Sequence, residues 1–230
     1  MYLKNTQKTE AAKMADRIKG IDVSKWQADK NGNSRVDFFQ LKQSGYDFVI
    51  LRASIGLSMD KSFDSHYKAA QKAGLHIGAY HYLTAKNERQ AKSQADFFLK
   101  TIAPKRLDYP VCLDIESDAQ KRLGRDKCTD LALDFMQNAE SAGYYTMLYS
   151  GANFIKNYLD MERLRHFDVW LACYTSEERR NELYTHDILG IWQYSSLVVL
   201  PGVYPGRLDQ NVAYKDYAKI ISRAKLNNLK

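Results

Sequence analysis

Apolar and β-branched residues recur along the chain in eight short runs, with polar segments between most of them. Short apolar runs bounded by polar or turn-forming residues are typical of buried β-strands. The predicted strands cover residues 17–26, 47–54, 76–83, 109–116, 145–150, 168–174, 188–195 and 206–214. Their regular order indicates a fold built by repeating one strand unit.

The intervening segments place apolar residues three or four positions apart, which predicts helices. The predicted helices are VDFFQLKQSG, SFDSHYKAAQKAG, NERQAKSQADFFLKTI, KCTDLALDFMQNAESAG, GANFIKNYL and the terminal KDYAKIISRAKL. Three of these patterns end in a glycine just after the last periodic residue, at Gly45, Gly74 and Gly143, where glycine commonly ends a helix. Alternation of strand and helix predicts a parallel sheet.

Eight strands in this order predict an α/β fold, an irregular single-domain (β/α)8 barrel of the TIM type with shortened late connections. An open doubly wound sheet is the alternative. The chain contains no linker rich in Pro, Gly or Ser and no internal repeat, so we expect one domain over residues 17–230. The polar residues 1–16 are expected to form a flexible N-terminal extension.

Composition narrows the class of protein. Hydrophobic residues make up 45% of the 230 positions, and no apolar run approaches the ~20 residues of a membrane span. The N-terminal segment lacks the apolar core of a secretory signal, so export would need another route. Cys112, Cys128 and Cys173 are far apart and form no CxxC pair, which argues against a disulfide framework or a zinc finger.

The net charge of +7 favours a polyanionic partner, such as nucleic acid, anionic lipid or an acidic cell-wall polymer. Charge alone does not choose among these partners. The 16 tyrosines and three tryptophans suit surfaces that stack on sugars as well as a hydrophobic core.

Residues with chemical capacity lie near the carboxyl ends of the predicted strands, where a barrel builds its active site. They are Asp22, Arg52, Tyr80, His81, Tyr82, Asp114, Glu116, Tyr149, Tyr174, Trp192, Gln193, Ser195 and, within the eighth strand, Asp209. Their meeting at one barrel mouth would bring four carboxyl groups into a single cleft, which favours a functional interpretation over a structural one.

Asp114 and Glu116 are separated by one residue in an apolar strand, so both carboxyl groups point to one face. Like charges at this spacing raise at least one pKa and leave a proton donor near neutral pH. Glycoside hydrolysis requires such a donor. A solvated strand end that carries two surface acids is the alternative.

Aromatic residues beside carboxylates offer apolar faces that match pyranose rings, although each of them alone fits a core position equally well. The candidates are Trp26, Tyr80, Tyr82 and Trp192. We interpret His81 as a structural hydrogen-bond partner, because no second histidine or cysteine lies at metal-ligand spacing. We therefore expect neither a metal nor a cofactor.

Seven segments, taken together and in order, resemble glycoside hydrolase family 25, the lysozyme family of bacterial autolysins and phage endolysins. They are GIDVSKWQ, FVILRAS, AGLHIGAYHY, YPVCLDIE, VWLACY, IWQYS and LDQNV. The resemblance implies an irregular (β/α) barrel. It also implies hydrolysis of the β-1,4 bond between N-acetylmuramic acid and N-acetylglucosamine in peptidoglycan.

The resemblance also assigns expected roles. Asp22 matches the family's first-strand acid, Asp114 and Glu116 match its D-x-E pair, and Asp209 matches its late D-x-N element. Glu116 is then the proton donor, Asp114 orients or stabilises the reacting centre, and the other two acids shape the site. The residues expected to bind substrate are Arg52, Tyr80, Tyr82, Tyr149, Tyr174, Trp192 and Gln193.

Retention of configuration is the expected outcome, with the substrate's 2-acetamido oxygen as nucleophile. Inversion by a water held by Asp209 is the alternative. Two other functions are the alternatives. A chitinase-type enzyme is disfavoured because its signature has an acid at the position of Cys112, and a non-catalytic glycan-binding barrel is disfavoured because all four acids are intact.

We expect a monomer that acts outside the cell on the bacterial wall, after release by lysis with a holin or by another export route. Its expected partners are peptidoglycan and anionic wall polymers. Neither nucleic acid nor integral membrane association is expected.

Overall fold

Nine strands form a single sheet in the computed structural model, which describes residues 17–229. The strands are β1 (Ile18–Val23), β2 (Phe48–Ile55), β3 (Ser58–Met59), β4 (His76–Tyr82), β5 (Val111–Asp114), β6 (Thr146–Gly151), β7 (Asp168–Ala172), β8 (Leu189–Val199) and β9 (Arg207–Ala213). Pairing of β1 with both β2 and β9 closes eight of them into a barrel, while β3 extends β2 as a short hairpin. The predicted barrel is confirmed, and the predicted extension 1–16 lies outside the described residues.

Helices and turns connect the strands. They are a 3₁₀ turn (Lys25–Gln27), α1 (Phe38–Gln43), α2 (Phe63–Lys72), α3 (Glu88–Ile102), α4 (Asp118–Lys121), α5 (Arg125–Ser141), α6 (Ala152–Tyr158), α7 (Met161–Leu164), α8 (Glu177–Leu183) and α9 (Tyr217–Ala224). All six helices predicted from the sequence are present, whereas α4, α7 and α8 were not predicted. Within residues 17–229, no helix combines the length and apolar character that a membrane crossing requires.

Helix ends follow local chemistry. The side chains of Asp37 and Asn87 accept hydrogen bonds from the first-turn amides of α1 and α3. Gly45, Gly74 and Gly143 adopt φ values of 82°, 71° and 86° just after α1, α2 and α5. This left-handed conformation favours glycine, so the predicted helix ends are confirmed.

The last barrel strand runs against the predicted direction. β9 is antiparallel to both β8 and β1, whereas the other barrel pairs are parallel. The expectation of a fully parallel sheet was therefore wrong for β9. Only residues 200–206 connect β8 to β9, and a parallel connection needs a dozen or more residues. The reversal places the amino end of β9 at the same rim as the carboxyl ends of the other strands.

The hydrophobic core has two parts. One fills the barrel interior with side chains such as Ile50, Met147 and Ile191, and the larger one packs between the barrel and the surrounding helices. The C-terminal segment closes the end of the barrel opposite the carboxyl ends of the parallel strands. There, Asn227 donates to the carbonyl oxygen of Tyr109 and accepts from the amide of Tyr145. Access to the interior is therefore from the rim at the carboxyl ends.

Candidate active site at the barrel mouth

Inward-facing side chains of the barrel strands meet in an open cavity of about 250 Å³. Alternation along each strand sends every second side chain inward. Ten of the eleven predicted site residues line this cavity: Asp22, Arg52, Tyr80, Tyr82, Asp114, Glu116, Tyr149, Tyr174, Gln193 and Asp209. The structure therefore brings residues from seven strands and two following loops together at one mouth.

Trp192 is the predicted site residue that lies elsewhere. Its neighbour Gln193 faces the interior, so the alternation of β8 turns the indole outward, where it is 3% exposed. The indole Nε1 donates to the carbonyl oxygen of Cys173 at 2.8 Å, and the guanidinium carbon of Arg180 lies 4.7 Å from the ring centroid. Trp192 therefore packs beneath α8 and does not reach a ligand in the cavity.

Several cavity residues were not among the eleven predicted site residues, although Trp26 was a candidate for stacking on a sugar. Trp170 lines the cavity wall, and its Nε1 donates to Oδ1 of Asn211 at 2.7 Å. Trp170 lies four residues before Tyr174 in the same predicted strand, so alternation places both side chains on one face. This spacing is the sequence feature that could have identified Trp170 as a cavity residue. Trp26 stands at the rim with 70% of its surface exposed, and Ser24 and Gln27 lie beside it. These three residues extend the cavity edge beyond β1.

Asp22 and Asp209 form a pair of acids across the β1–β9 ladder, where they occupy opposing positions. Oδ2 of Asp22 accepts hydrogen bonds from Gln193 and Asn211, each at 2.8 Å. Burial and then the nearby Asp209 charge raise the pKa of Asp22, and burial raises the pKa of Asp209. One proton is therefore readily held between the two carboxyl groups.

Asp114 lies buried at the end of β5 with an unused acceptor. Its Oδ1 is buried and has no hydrogen-bond partner among the described residues. Burial, then the charges of Glu116 and Asp22, raise the pKa of Asp114, while Arg52 opposes the shift. A buried acceptor left unpaired is costly, so a ligand N–H group at this point would be stabilised.

Glu116 lies two residues beyond Asp114 and is exposed at the rim of the cavity. The surrounding protein desolvates its carboxyl group and raises its pKa, an effect that the Lys121 ammonium reduces and the Asp209 charge increases. Lys121 itself pairs with Asp118 at 2.7 Å on α4. Glu116 thus combines access to a ligand with a raised affinity for its proton, as a general acid requires.

His81 lies outside the cavity and is fully buried. Ser54 donates to its Nδ1 at 2.8 Å, and its Nε2 donates to Oε1 of Gln94 at 3.1 Å. Burial lowers the pKa of His81 to about 4, so it is a neutral structural residue. Over the described part of the chain, no cluster of three His, Cys, Asp or Glu side chains could hold a metal ion, and all three cysteines are buried free thiols.

Known proteins match both the sequence and the fold. The family model for glycosyl hydrolases family 25 matches residues 21–203. The autolytic lysozyme of Clostridium acetobutylicum is 30% identical over 158 residues, which cover 68% of this chain and 45% of that protein. The chain thus matches less than half the length of that lysozyme.

Two crystal structures share the barrel. The CTP1L endolysin is 27% identical, with a TM-score of 0.74 over 90% of this chain and 70% of its own. The Streptomyces coelicolor lysozyme is 22% identical, with a TM-score of 0.72 over 94% of this chain and 99% of its own, and shows the fold alone. The match to the family model spans most of the barrel, including Asp22, Asp114 and Glu116, and the chain belongs to glycosyl hydrolases family 25.

Proposed function

We propose that this protein is a lysozyme that hydrolyses the β-1,4 bond from N-acetylmuramic acid to N-acetylglucosamine in peptidoglycan. The observation that carries the proposal is the pair formed by Asp114, with its unpaired buried oxygen, and Glu116, with its raised pKa at the rim. The 30% identity to an autolytic lysozyme supports the substrate class.

In the first proposed step, Asp114 accepts a hydrogen bond from the N–H of the 2-acetamido group on the muramic acid. The acetamido carbonyl oxygen then attacks C1 of that sugar while the bond from C1 to the leaving oxygen breaks. Glu116 gives its proton to the leaving oxygen, which becomes the 4-hydroxyl of N-acetylglucosamine. The remaining sugar is an oxazolinium ion, whose positive charge the Asp114 carboxylate stabilises.

In the second step, the Glu116 carboxylate takes a proton from water as the water oxygen attacks C1. The oxazolinium ring opens, the acetamido group is restored, and the new reducing sugar has the original β configuration. Glu116 ends the cycle protonated. A hydrogen bond from the substrate N–H favours the carboxylate form of Asp114, which releases its proton to solvent as substrate binds. Because the charges of Asp114 and Glu116 repel each other, the Asp114 carboxylate then helps Glu116 to keep its proton before the first step.

The spacing of the two acids supports assistance by the substrate over direct attack by Asp114. Glu116 lies in the loop after β5, but the amide of Ile115 still donates to the carbonyl oxygen of Tyr149 on β6, and the Ile115 side chain turns away into the larger core. The chain therefore stays extended across the pair, and both acids approach the sugar from one side. A retaining pair with an enzyme nucleophile instead flanks the bond at ~5 to 5.5 Å. The pair formed by Asp22 and Asp209, on different strands, is the rival site for an inverting water.

The function is tested by digestion of purified bacterial walls. We expect turbidity to fall, the released fragments to carry reducing N-acetylmuramic acid ends by mass spectrometry, and EDTA to leave the rate unchanged. Reducing N-acetylglucosamine ends or cleaved amide bonds would overturn the assignment.

Replacement of Lys121 by Met is expected to move the alkaline limb of the activity profile to higher pH. Loss of the ammonium removes the charge that lowers the Glu116 pKa, and it leaves Asp118 unpaired, so the protonated acid persists further into the alkaline range. The measurement is the pH dependence of kcat on a soluble glycan at low salt. Lys127→Met, which removes a cation paired with Glu88, is the matched control. An unshifted limb for Lys121→Met would contradict Glu116 as the acid.

Lysis of whole walls is expected to slow as salt rises. A protein of charge +7 is attracted to anionic wall polymers, which we propose as further partners, and salt of physiological strength screens this attraction over about 8 Å. A small neutral glycan should be cleaved with less salt dependence. Equal salt dependence for the two substrates would rule out electrostatic attraction to the wall.

The proposed acting form is a monomer at the bacterial wall.

A further inference from the structure

Arg52 projects from β2 into the cavity and is the one lysine or arginine among the described residues that line it. The other charged side chains in the lining are the four acids Asp22, Asp114, Glu116 and Asp209. An acidic substituent on a ligand would meet repulsion from these carboxylates. Arg52 is therefore the only point in this lining where such a substituent gains a charged partner.

The guanidinium of Arg52 is held at Nε and has an unpartnered donor at Nη2. Its Nε donates to Oδ2 of Asp60 at 2.7 Å, and this is the one hydrogen bond that the guanidinium makes within residues 17–229. Nη2 is buried and has no partner there. A largely shielded cationic donor without an acceptor is costly, so a ligand oxygen that meets the guanidinium would offset this cost.

Further hydrogen bonds fix the carboxylate of Asp60 that holds the Arg52 Nε. Oδ1 accepts from the amide and the hydroxyl of Ser62 at 2.9 and 2.6 Å, and Oδ2 also accepts from the amide of Lys25 at 3.0 Å. Burial alone would raise the pKa of Asp60, but the hydrogen bonds from Ser62 and Arg52 lower it, so Asp60 is a fixed anion. The guanidinium consequently has a defined position without help from a ligand.

Arg52 lines the same cavity as Asp114 and comes from β2, which is separated from β5 by one strand. The charge of Arg52 acts on Asp114 and on Tyr80 and Tyr82, which lie on the strand between them. In the proposed mechanism Asp114 holds the substituent on C2 of the muramic acid. The substituent on the adjacent C3 is the lactyl ether, which distinguishes muramic acid from N-acetylglucosamine.

We propose that Arg52, positioned by Asp60, binds the carboxyl oxygen of the 3-O-lactyl group and thereby selects muramic acid for the cleaved sugar. The lactyl carboxyl offers an acceptor oxygen whether it is a free carboxylate or is amide-linked to a stem peptide. Arg52 is thus a specificity residue, and Asp60 is a positioning residue that acts through it. This inference rests on the proposed lysozyme function.

The test compares two substrates that differ at the lactyl group. One is a soluble oligosaccharide of alternating N-acetylglucosamine and N-acetylmuramic acid, and the other is the same glycan with its lactyl carboxyl reduced to an alcohol. Wild-type enzyme is expected to prefer the native glycan in kcat/KM by about 10- to 100-fold, the range of a charged hydrogen bond. In Arg52→Met this preference should fall to near one.

Two further variants distinguish binding of the lactyl group by Arg52 from a purely structural role of this residue. Arg52→Lys keeps the charge but not the planar edge, so an intermediate preference is expected. Asp60→Asn should weaken the preference mainly through KM, with kcat less affected. Arg163→Met and Asp64→Asn, which break ion pairs away from the cavity, are matched controls, and thermal unfolding checks each fold.

Failure of the Arg52 inference and failure of the proposed lysozyme function would give different results. A wild-type preference that persists in Arg52→Met and Arg52→Lys would overturn the inference while leaving the lysozyme function intact. A wild-type enzyme that cleaves neither glycan would instead overturn the proposed function itself.

Discussion

Glu116→Gln is expected to lose almost all activity on walls and on soluble glycans. The amide has the shape of the acid but cannot give a proton to the leaving oxygen, and general acid catalysis contributes ~10²- to 10⁴-fold. Because Glu116 is exposed at the rim, the substitution should leave the thermal unfolding midpoint close to that of the wild type. The measurement is kcat on a soluble glycan beside an unfolding curve.

Glu162→Gln is the control for this change, because Glu162 is an exposed residue of α7 that does not line the cavity. It should retain full activity. A Glu116→Gln variant with more than about a tenth of the wild-type rate would fall outside the range of general acid catalysis and would show that the donor lies elsewhere.

Asp114→Asn is expected to be the next most damaging change, with a loss of ~10²- to 10³-fold, as for removal of one group that stabilises transition-state charge. The amide is neutral and cannot stabilise the positive oxazolinium ion as a carboxylate does. The alkaline limb of the residual activity should also shift to lower pH, because the Asp114 charge no longer helps Glu116 to retain its proton.

Two measurements distinguish charge stabilisation by Asp114 from nucleophilic attack by Asp114. A glycan whose 2-acetamido group is replaced by hydroxyl should be cleaved poorly by the wild type, and Asp114→Asn should add little further loss. Asp130→Asn, at a surface ion pair with Arg163, is the matched control. A glycosyl ester trapped on Asp114 would contradict assistance by the substrate.

The sequence was sufficient to predict the barrel and most of its mouth, because both depend on local periodicity. Alternation placed Asp114 and Glu116 on one face, and the structure puts both in the cavity lining. The same rule was ambiguous for Trp192 and Gln193, since adjacent residues always face opposite sides. Without the register, the larger aromatic side chain could not be assigned to the outer core, where it lies.

Helix α8 was missed for a different physical reason. Its sequence EERRNEL contains one apolar residue, so no hydrophobic period marks it. Its buried contact is the guanidinium of Arg180, which covers the rings of Trp192 and Tyr214. A long cationic side chain that packs on aromatic rings appears in a sequence as an exposed charge.

The position of Asp209 depended on topology that periodicity does not encode. In a parallel eighth strand, an aspartate this early would lie at the closed end of the barrel. The antiparallel direction of β9 brings it opposite Asp22 at the open mouth. The short connection over residues 200–206 was the available sign of that reversal.

The most direct test of the account is the NMR spectrum of the first-formed product from a soluble glycan of alternating N-acetylglucosamine and N-acetylmuramic acid. One spectrum reads both the sugar at the new reducing end and its configuration before mutarotation. We expect the β anomer of N-acetylmuramic acid, as retention through the substrate's own acetamido group requires. First formation of the α anomer would contradict that mechanism and favour a water held by Asp209 and Asp22, and a new reducing end on N-acetylglucosamine would contradict the lysozyme function.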